Sequence, residues 1–434
     1  MNRNLKSTAR RNFLRVSAGA AGVAALGAVT GNGHTPLKAA ALPNHKRLVI
    51  VNMLGGNDGL NTVFPVTGAE AAAYLNNRPT LGFAQGQGLS LTGGPGVSEY
   101  ELHPSLVNFQ ARWNAGQMAV IHKVGYPQQN LSHFVSEDIW SYGTRSGLGS
   151  LVGMAPGWVA RYGNTYAPTT MGVVSIGVGR RLDFAGANVN PFLVSSVASF
   201  NYRTDFNYTQ NHALRLQTIQ NILALQPAGD IVGDIAAAGS SAFSAAAQVQ
   251  QAASDYTAWA AGNSIVYPNT SMGNRLRDIA TLIHGTTATG GFESRVFYTG
   301  YGGFDTHSNQ LTAHAGLLTQ LDNALGVFYT DLVAQGVWND TVLVVISEFG
   351  RRNYENGSNG TDHGHGNCVL VVGGPVNGGF YGTLPSVADL NMGHLNYNTD
   401  FRDVYRALLM QHLAHDPTPL FPETQPTNNV PNLV

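Results

Sequence analysis

Short runs of apolar, often β-branched residues recur along the chain, and each run ends in glycine or in a cluster of polar residues. Runs of this length and composition are typical of strands that are buried on both faces of a largely parallel sheet. The pattern predicts six such strands, at residues 47–54, 118–122, 173–176, 295–298, 342–346 and 369–372.

Segments with helical periodicity lie between these runs. In residues 311–332 the apolar positions recur at three- and four-residue spacing, at Leu317, Leu318, Leu321, Leu325 and Phe328. The order of strands and helices predicts an α/β fold with a doubly wound, mostly parallel sheet flanked by helices. Residues of about 207–262 are rich in Ala and Gln and have helical periodicity without a strand signal. We interpret them as a helical insertion, which either caps a cleft on the sheet or forms an outer helical layer.

The first 41 residues have the pattern of an export signal. The pair Arg10 and Arg11 precedes a weakly apolar segment rich in Gly and Ala, and small residues at 39–41 offer a cleavage site. We therefore expect a twin-arginine signal at 1–41, a folded domain at 42–434, the twin-arginine translocase as partner, and a periplasmic or secreted product. No later segment has the roughly 18 uninterrupted apolar residues of a membrane anchor, so none is predicted.

Charge and cysteine content argue against nucleic-acid binding and against disulfide or thiol chemistry. Six of the 24 basic residues lie within 1–41, which leaves 18 basic residues against 25 acidic ones in the remainder. An acidic chain without a basic patch does not favour nucleic-acid binding. Cys368 is the only cysteine and lies within an apolar run, so we predict a buried residue rather than a disulfide or a nucleophilic thiol.

Polar clusters adjoin several of the predicted strands. In open α/β sheets the functional cleft lies at the carboxyl ends of the strands. Clusters follow the strands that begin at residues 47, 295 and 342, and a fourth cluster precedes the last strand. These clusters contain the candidate metal ligands Asp58, Asp305, His307, Glu348, Asp362, His363 and His365.

Carboxylates and imidazoles together are the ligands of zinc, manganese or iron, so the sequence predicts one or two divalent ions. Residues two apart in extended backbone point the same way, so Asp305 with His307, and His363 with His365, are each expected to present two ligands. Each motif alone also has an ordinary interpretation as a turn, a helix cap or a loop. Their shared position at one sheet edge favours a site.

Two further residues are candidates for catalysis. Ser132 follows the strand that begins at 118 and precedes a helical segment, where unpaired N–H groups favour an attacking oxygen or a bound anion. An ordinary N-cap is an equally good interpretation of Ser132. Arg351 and Arg352 offer a planar fork to an anionic substrate, unless one of them pairs with a carboxylate such as Glu355.

On these motifs the chain resembles the exported proteins grouped as domain of unknown function 1501, which are placed with alkaline phosphatases and sulfatases. The motifs lie at 55–62, 130–134, 303–307, 347–351 and 360–364. The resemblance implies an alkaline phosphatase-like fold. It also implies a set of roles: Asp58 as first carboxylate, Ser132 as nucleophile, Asp305 and His307 as a pair, Glu348 as the next carboxylate, and His363 or His365 as the last ligand. Phe349 stands where the superfamily pattern has an imidazole.

The hypothesis from the sequence is therefore a metal-dependent hydrolase that acts on phosphate or sulfate esters, either small molecules or polymers. In it, Ser132 attacks the ester and Arg351 neutralises its non-bridging oxygens. The alternatives are a non-catalytic exported binding or assembly protein on the same scaffold, and metal-dependent isomerase or transferase chemistry.

Overall fold

The computed structural model describes residues 45–93, 96–143, 156–169, 171–179, 181–186, 192–201, 210–225, 231–289, 293–386, 390–391, 393–421 and 430–434. All of them lie within one compact unit, Ala39–Val434. The predicted signal at 1–41 lies outside the described residues.

Fourteen strands are present in the described part of the chain. In order they are β1 Arg47–Leu54, β2 Val63–Pro65, β3 Leu89–Ser90, β4 Tyr100–Leu102, β5 Met118–Gly125, β6 Val173–Ile176, β7 Phe192–Val194, β8 Val296–Gly302, β9 Thr341–Ile346, β10 Asn367–Gly373, β11 Gly379–Tyr381, β12 Leu390–Asn391, β13 His394–Leu395 and β14 Thr399–Asp400. Each of the six strands predicted from the sequence corresponds to one of these.

Ten α-helices lie between the strands of the described segments. They are α1 Gly59–Thr62, α2 Gly68–Asn77, α3 Val107–Asn114, α4 His133–Tyr142, α5 Trp158–Tyr166, α6 His212–Ala224, α7 Ile231–Gly262, α8 Ser271–Thr289, α9 Gln310–Ala334 and α10 Phe401–Ala407. The periodic segment at 311–332 forms α9, as its apolar spacing predicts. None of the described helices combines the length and the hydropathy that crossing a membrane requires.

The main sheet has nine strands in the order β11-β5-β10-β9-β1-β8-β6-β7, and β14 also pairs with β5. Its pairs are parallel except for those of β10, which runs antiparallel to both β5 and β9. Two small sheets, β2-β4-β3 and β12-β13, lie apart from it. The predicted mostly parallel α/β sheet is therefore confirmed.

Helices cover both faces of the main sheet, because successive side chains of each strand point to opposite faces. Val49 and Val51 of β1 pack in a core with helices α3, α7, α8 and α9. Leu48 and Ile50 pack in a second core with α4, α5 and α10. The described part of the segment at 207–262 forms α6 and α7, and α7 packs on α8 as an outer layer.

Candidate metal centre

The loops that carry the predicted site residues meet at one edge of the main sheet. Strands β1, β8 and β9 are parallel, so their carboxyl ends lie at the same edge. Since β10 is antiparallel to β9 and to β5, its first residues and the end of β5 lie at that edge too. The topology thus brings together side chains that are far apart in the sequence.

Three imidazole Nε2 atoms converge on one carboxylate oxygen, Oδ1 of Asp305. The Nε2 atoms of His307, His363 and His133 lie 2.9, 3.1 and 3.4 Å from this oxygen. The Nε2 atoms of His307 and His363 are 2.9 Å apart. The four side chains are between 22% and 46% exposed, so the cluster opens to solvent.

The other ring nitrogen of each imidazole is held by an oxygen acceptor. Nδ1 of His133 lies 2.8 Å from Oε1 of Glu348, and Nδ1 of His307 lies 3.1 Å from Oδ1 of Asp362. Nδ1 of His363 donates to the backbone carbonyl of Leu131 at 2.7 Å. Such partners favour the tautomer with the proton on Nδ1 and leave the Nε2 lone pair for a metal ion.

The geometry and donor set of this cluster fit a divalent metal ion. A tetrahedral zinc ion with bonds of about 2.0–2.1 Å holds its ligand atoms about 3.3 Å apart. The distances from Asp305 Oδ1 to the three Nε2 atoms are close to that value. The ligand atoms of His133, Asp305 and His363 all lie within 4.8 Å of one another, a group that does not include His307, and His307 contacts it through Asp305 and His363. Nε2 of His133 is buried without a hydrogen-bond partner, which is costly unless it binds an ion.

Neighbouring groups set the ionisation of the side chains in the cluster. Burial opposes ionisation of Asp305, but the hydrogen bond and charge of Arg351 lower the pKa of its carboxyl to about 2. The hydrogen bond to Glu348 raises the pKa of His133, whereas burial lowers the pKa of His363. The hydrogen bond from Asn356 lowers the pKa of Asp362. At neutral pH Asp305 is therefore an ionised carboxylate.

Phe349 forms an apolar wall behind two of the imidazoles. Its ring is 4.8 Å from the His133 ring and 4.9 Å from the His363 ring, centroid to centroid, and the residue is 1% exposed. Gly56 has a φ of 75°, and a Cβ at this position would collide with the Phe349 ring.

Arg351 joins the loops of the centre and has no free edge for a substrate. Its Nε donates to the carbonyl of Gly56 at 2.7 Å, and its Nη1 donates to the carbonyl of Thr361 at 2.8 Å. Its Nη2 contacts Asp305 Oδ1 at 2.7 Å and also the carbonyls of Gly55 and Phe304. Its side chain is 0% exposed. We therefore correct the role expected for Arg351, because a guanidinium held by four carbonyls positions Asp305 and does not reach an ester.

Asp58 lies in a different, fully buried network. Its Oδ2 is 2.6 Å from Nη1 of Arg78, and its Oδ1 accepts from the N–H of Asn61 as the N-cap of α1. Gln310 donates to the same carboxylate and accepts from Thr361 at 2.6 Å, which links the network to the loop before β10. Asp58 thus supports the loops of the centre, and the structure does not bring it to the three imidazoles.

The remaining predicted residues occupy separate places. Ser132 is exposed and is the N-cap residue of α4, directly before the ligand candidate His133. Its side chain makes no capping hydrogen bond. His365 does not join the cluster, because the chain bends there and its ring stacks on His394 at 4.1 Å. Glu348 and Asp362 are near the cluster but hold Nδ1 atoms.

His133 is the site residue that the sequence interpretation did not select. It stands next to Ser132 in the motif at 130–134. The family resemblance implied a nucleophile in that motif, at Ser132, and no metal ligand. As the first residue of α4, it projects from the end of the helix that faces the sheet edge. The available signal was a histidine at a helix start directly after a strand loop.

Several solved structures match this chain at a low level of similarity. The lipoteichoic acid synthase LtaP from Listeria monocytogenes matches with a TM-score of 0.33 and 9% identity, over 72% of this chain and 60% of the synthase. Ps i-CgsB matches with a TM-score of 0.34 and 12% identity, over 87% and 76% of the two chains. Alkaline phosphatase from the Antarctic bacterium TAB5 gives a TM-score of 0.28 and 10% identity, over 77% and 94%.

No curated protein matches the sequence significantly. A family model, described as protein of unknown function (DUF1501), matches residues 203–425. This segment includes the motifs that supply Asp305, His307 and His363, whereas the motifs at 55–62 and 130–134 precede it. Because the match spans just over half of the 434 residues, the chain belongs to the DUF1501 family.

Proposed function

We propose that this chain is a metal-dependent hydrolase with one zinc-like ion held by Nε2 of His133, His307 and His363 and by Asp305. The observation that carries the proposal is the convergence of the three Nε2 atoms on Asp305 Oδ1 while each Nδ1 has its own acceptor. Three nitrogen ligands and one carboxylate favour zinc over magnesium or calcium, which prefer oxygen ligands.

The substrate class that we propose is a phosphate or sulfate ester, with Ser132 as the attacking oxygen. When bound, the ion supplies Lewis acidity and makes an adjacent hydroxyl more acidic. Ser132 is exposed at the start of α4, where the free N–H groups of the first turn favour negative charge. Glu348 and Asp362 keep the imidazoles oriented, and Phe349 keeps water from their inner side.

A second candidate function is a non-catalytic binding or assembly role with a structural ion. One observation favours it: three imidazoles and Asp305 together complete a four-ligand set. Structural zinc sites have four protein ligands, whereas catalytic ones usually have three and an open position. Whether Asp305 stays bound during turnover separates the two functions.

Metal binding is tested on full-length protein purified without added metal and then titrated with zinc against a chromogenic chelator. We expect one zinc per chain, and we expect His133→Ala and His363→Ala to weaken binding by about 100-fold or more, since each removes a direct ligand. His365→Ala is the matched control, because this histidine lies outside the cluster, and its affinity should equal that of the wild type. Equal affinity in all three variants would reject the centre.

Catalysis is tested with nitrophenyl phosphate and nitrophenyl sulfate. Zinc-loaded wild type should release nitrophenol, Ser132→Ala should lose most of this activity, and Ser244→Ala, a change on the exposed face of α7, should retain it. Zinc binding without turnover of either ester would favour the structural role.

We also propose export by the twin-arginine translocase, with residues 1–41 as signal and a periplasmic or secreted product. The support is the arginine pair followed by a weakly apolar segment and a small-residue cleavage site. Replacing Arg10 and Arg11 with lysine should retain the precursor inside the cell in a fractionation assay. Normal export of that variant contradicts the proposal.

A further inference from the structure

A second polar cluster lies beside the metal centre, where residues 352–354 meet residues 393–394. The N–H of Asn353 donates to the carbonyl of Gly393 at 2.9 Å. The Tyr354 ring lies so close to the Gly393 backbone that a Cβ there would collide with it, and Gly393 has a φ of 81°. The two segments are therefore packed tightly together.

Buried polar atoms without hydrogen-bond partners are concentrated at this contact. They are Nε of Arg352, Oδ1 and Nδ2 of Asn353, and Nδ1 of His394. Asn353 is 0% exposed and His394 is 5% exposed. Folded proteins rarely leave such atoms unpaired, so these atoms are available to a bound polar ligand.

Arg352 differs from its neighbour Arg351 in having a free edge. Its Nη1 donates to the hydroxyl of Tyr354, and its guanidinium lies 5.5 Å from the centroid of that ring. Within the described residues, its Nε and Nη2 form no hydrogen bond. This is the edge through which arginine binds an oxyanion with two parallel hydrogen bonds.

The cluster adjoins the metal centre through Asp362. The N–H of Arg352 donates to the Asp362 carbonyl at 3.0 Å, and the Asp362 side chain holds Nδ1 of His307. The ring of His394 stacks on the ring of His365, with 4.1 Å between the centroids. Burial, then the nearby His365 and Arg352, lower the pKa of His394 to about 4, which agrees with a guanidinium close to this ring.

We propose that Arg352 and His394, with His365 beside them, form an oxyanion subsite that takes a singly charged group such as a carboxylate or a sulfate ester. One guanidinium balances one negative charge, and the Asp362 carboxylate close by disfavours a doubly charged group. As a substrate subsite this rests on the proposed hydrolase function, because it places a second anionic group next to the reacting ester. Anion binding itself does not depend on that function.

The test is calorimetric titration of full-length protein, zinc-free and zinc-loaded, with methyl sulfate, acetate and inorganic phosphate. Methyl sulfate or acetate should bind saturably and more tightly than phosphate, and the tighter of the two identifies the group. Arg352→Gln should weaken binding about tenfold or more, because it removes a charged hydrogen-bond pair. Arg352→Lys should restore part of the affinity.

Arg277→Gln, at a half-exposed arginine on α8, is the matched control for the loss of one charge and should bind like the wild type. If Arg352→Gln does not fold, Tyr354→Phe, which releases Nη1, replaces it and should bind several-fold more weakly. Absence of saturable binding in the wild type, or equal binding in the Arg352 or Tyr354 variants, overturns the subsite. Zinc affinity separates the two proposals. If the subsite proposal is wrong, zinc still binds as expected. If the metal-centre proposal is wrong, the zinc-free protein still binds the anion.

Discussion

Replacing Arg78 with methionine should strongly destabilise the protein without removing a metal ligand. The Asp58–Arg78 pair is 2.6 Å long, and its side chains are 1% and 0% exposed. Burial disfavours the Asp58 carboxylate, but Arg78 keeps its pKa below the ordinary value. Without Arg78 this buried charge is uncompensated, which costs about 3–5 kcal/mol of unfolding free energy.

The double variant Arg78→Met with Asp58→Asn removes both charges and should recover much of that loss. A deficit of about 1–3 kcal/mol should remain, because Arg78 also donates to the carbonyls of Arg352 and Asn353. Urea unfolding of the two single variants and the double variant, followed by circular dichroism, completes the cycle. Lys46→Met, which breaks the partly exposed ion pair with Asp340, is the control and should cost at most about 1 kcal/mol.

Zinc affinity decides the role of Asp58 in the same set of variants. The structure predicts that the double variant binds zinc as the wild type does, because the three imidazoles and Asp305 are unchanged. If Asp58→Asn instead abolished zinc binding while unfolding near the wild-type urea concentration, Asp58 would be a ligand and the separation of the two networks would be wrong.

Three further changes test the surroundings of the centre and the core. Glu348→Ala should weaken zinc binding about 10- to 100-fold in chelator competition, because it removes the acceptor that orients the His133 ring. Unchanged affinity would show that the Glu348–His133 contact does not contribute to zinc binding. Gly56→Ala should lower the thermal midpoint through a collision with Phe349, and an unchanged midpoint would contradict that packing. Burial lowers the pKa of His412 to about 4, so the unfolded state binds more protons than the folded state between pH 4 and pH 6.5. The free energy of unfolding therefore falls as the pH drops from 6.5 towards 4. His412→Gln should make this pH dependence less steep in urea unfolding at several pH values, and an equal slope would contradict the reasoning.

The strands and their common edge could be predicted from the sequence because the apolar runs are short, β-branched and followed by polar clusters. That information is local, and the parallel order of strands then places the clusters together. The pairing of Asp58 with Arg78 could not be predicted, since Arg78 follows the end of α2 and reaches Asp58 only through tertiary packing. Local sequence does not distinguish a buried ion pair from a metal ligand.

The two-residue alternation brings one predicted pair of side chains together and does not do so for the other. It holds for Asp305 and His307, whose Oδ1 and Nε2 atoms are 2.9 Å apart. It does not hold for His363 and His365, because His363 forms an isolated bridge with Arg351 and the chain bends at His365. The rule requires extended backbone, and glycines on both sides of these histidines allow the chain to leave that conformation.

Carboxylates near a metal centre are easily mistaken for ligands, and the reason is physical. An imidazole binds a metal ion firmly only if its other nitrogen is held, so a site with three histidines needs several acceptors around it. Glu348 and Asp362 serve that purpose here, and Asp305 alone faces the Nε2 atoms. The acidic residues that the sequence groups as ligands therefore divide into one carboxylate that faces the Nε2 atoms, two that contact Nδ1 atoms, and one buried partner of Arg78.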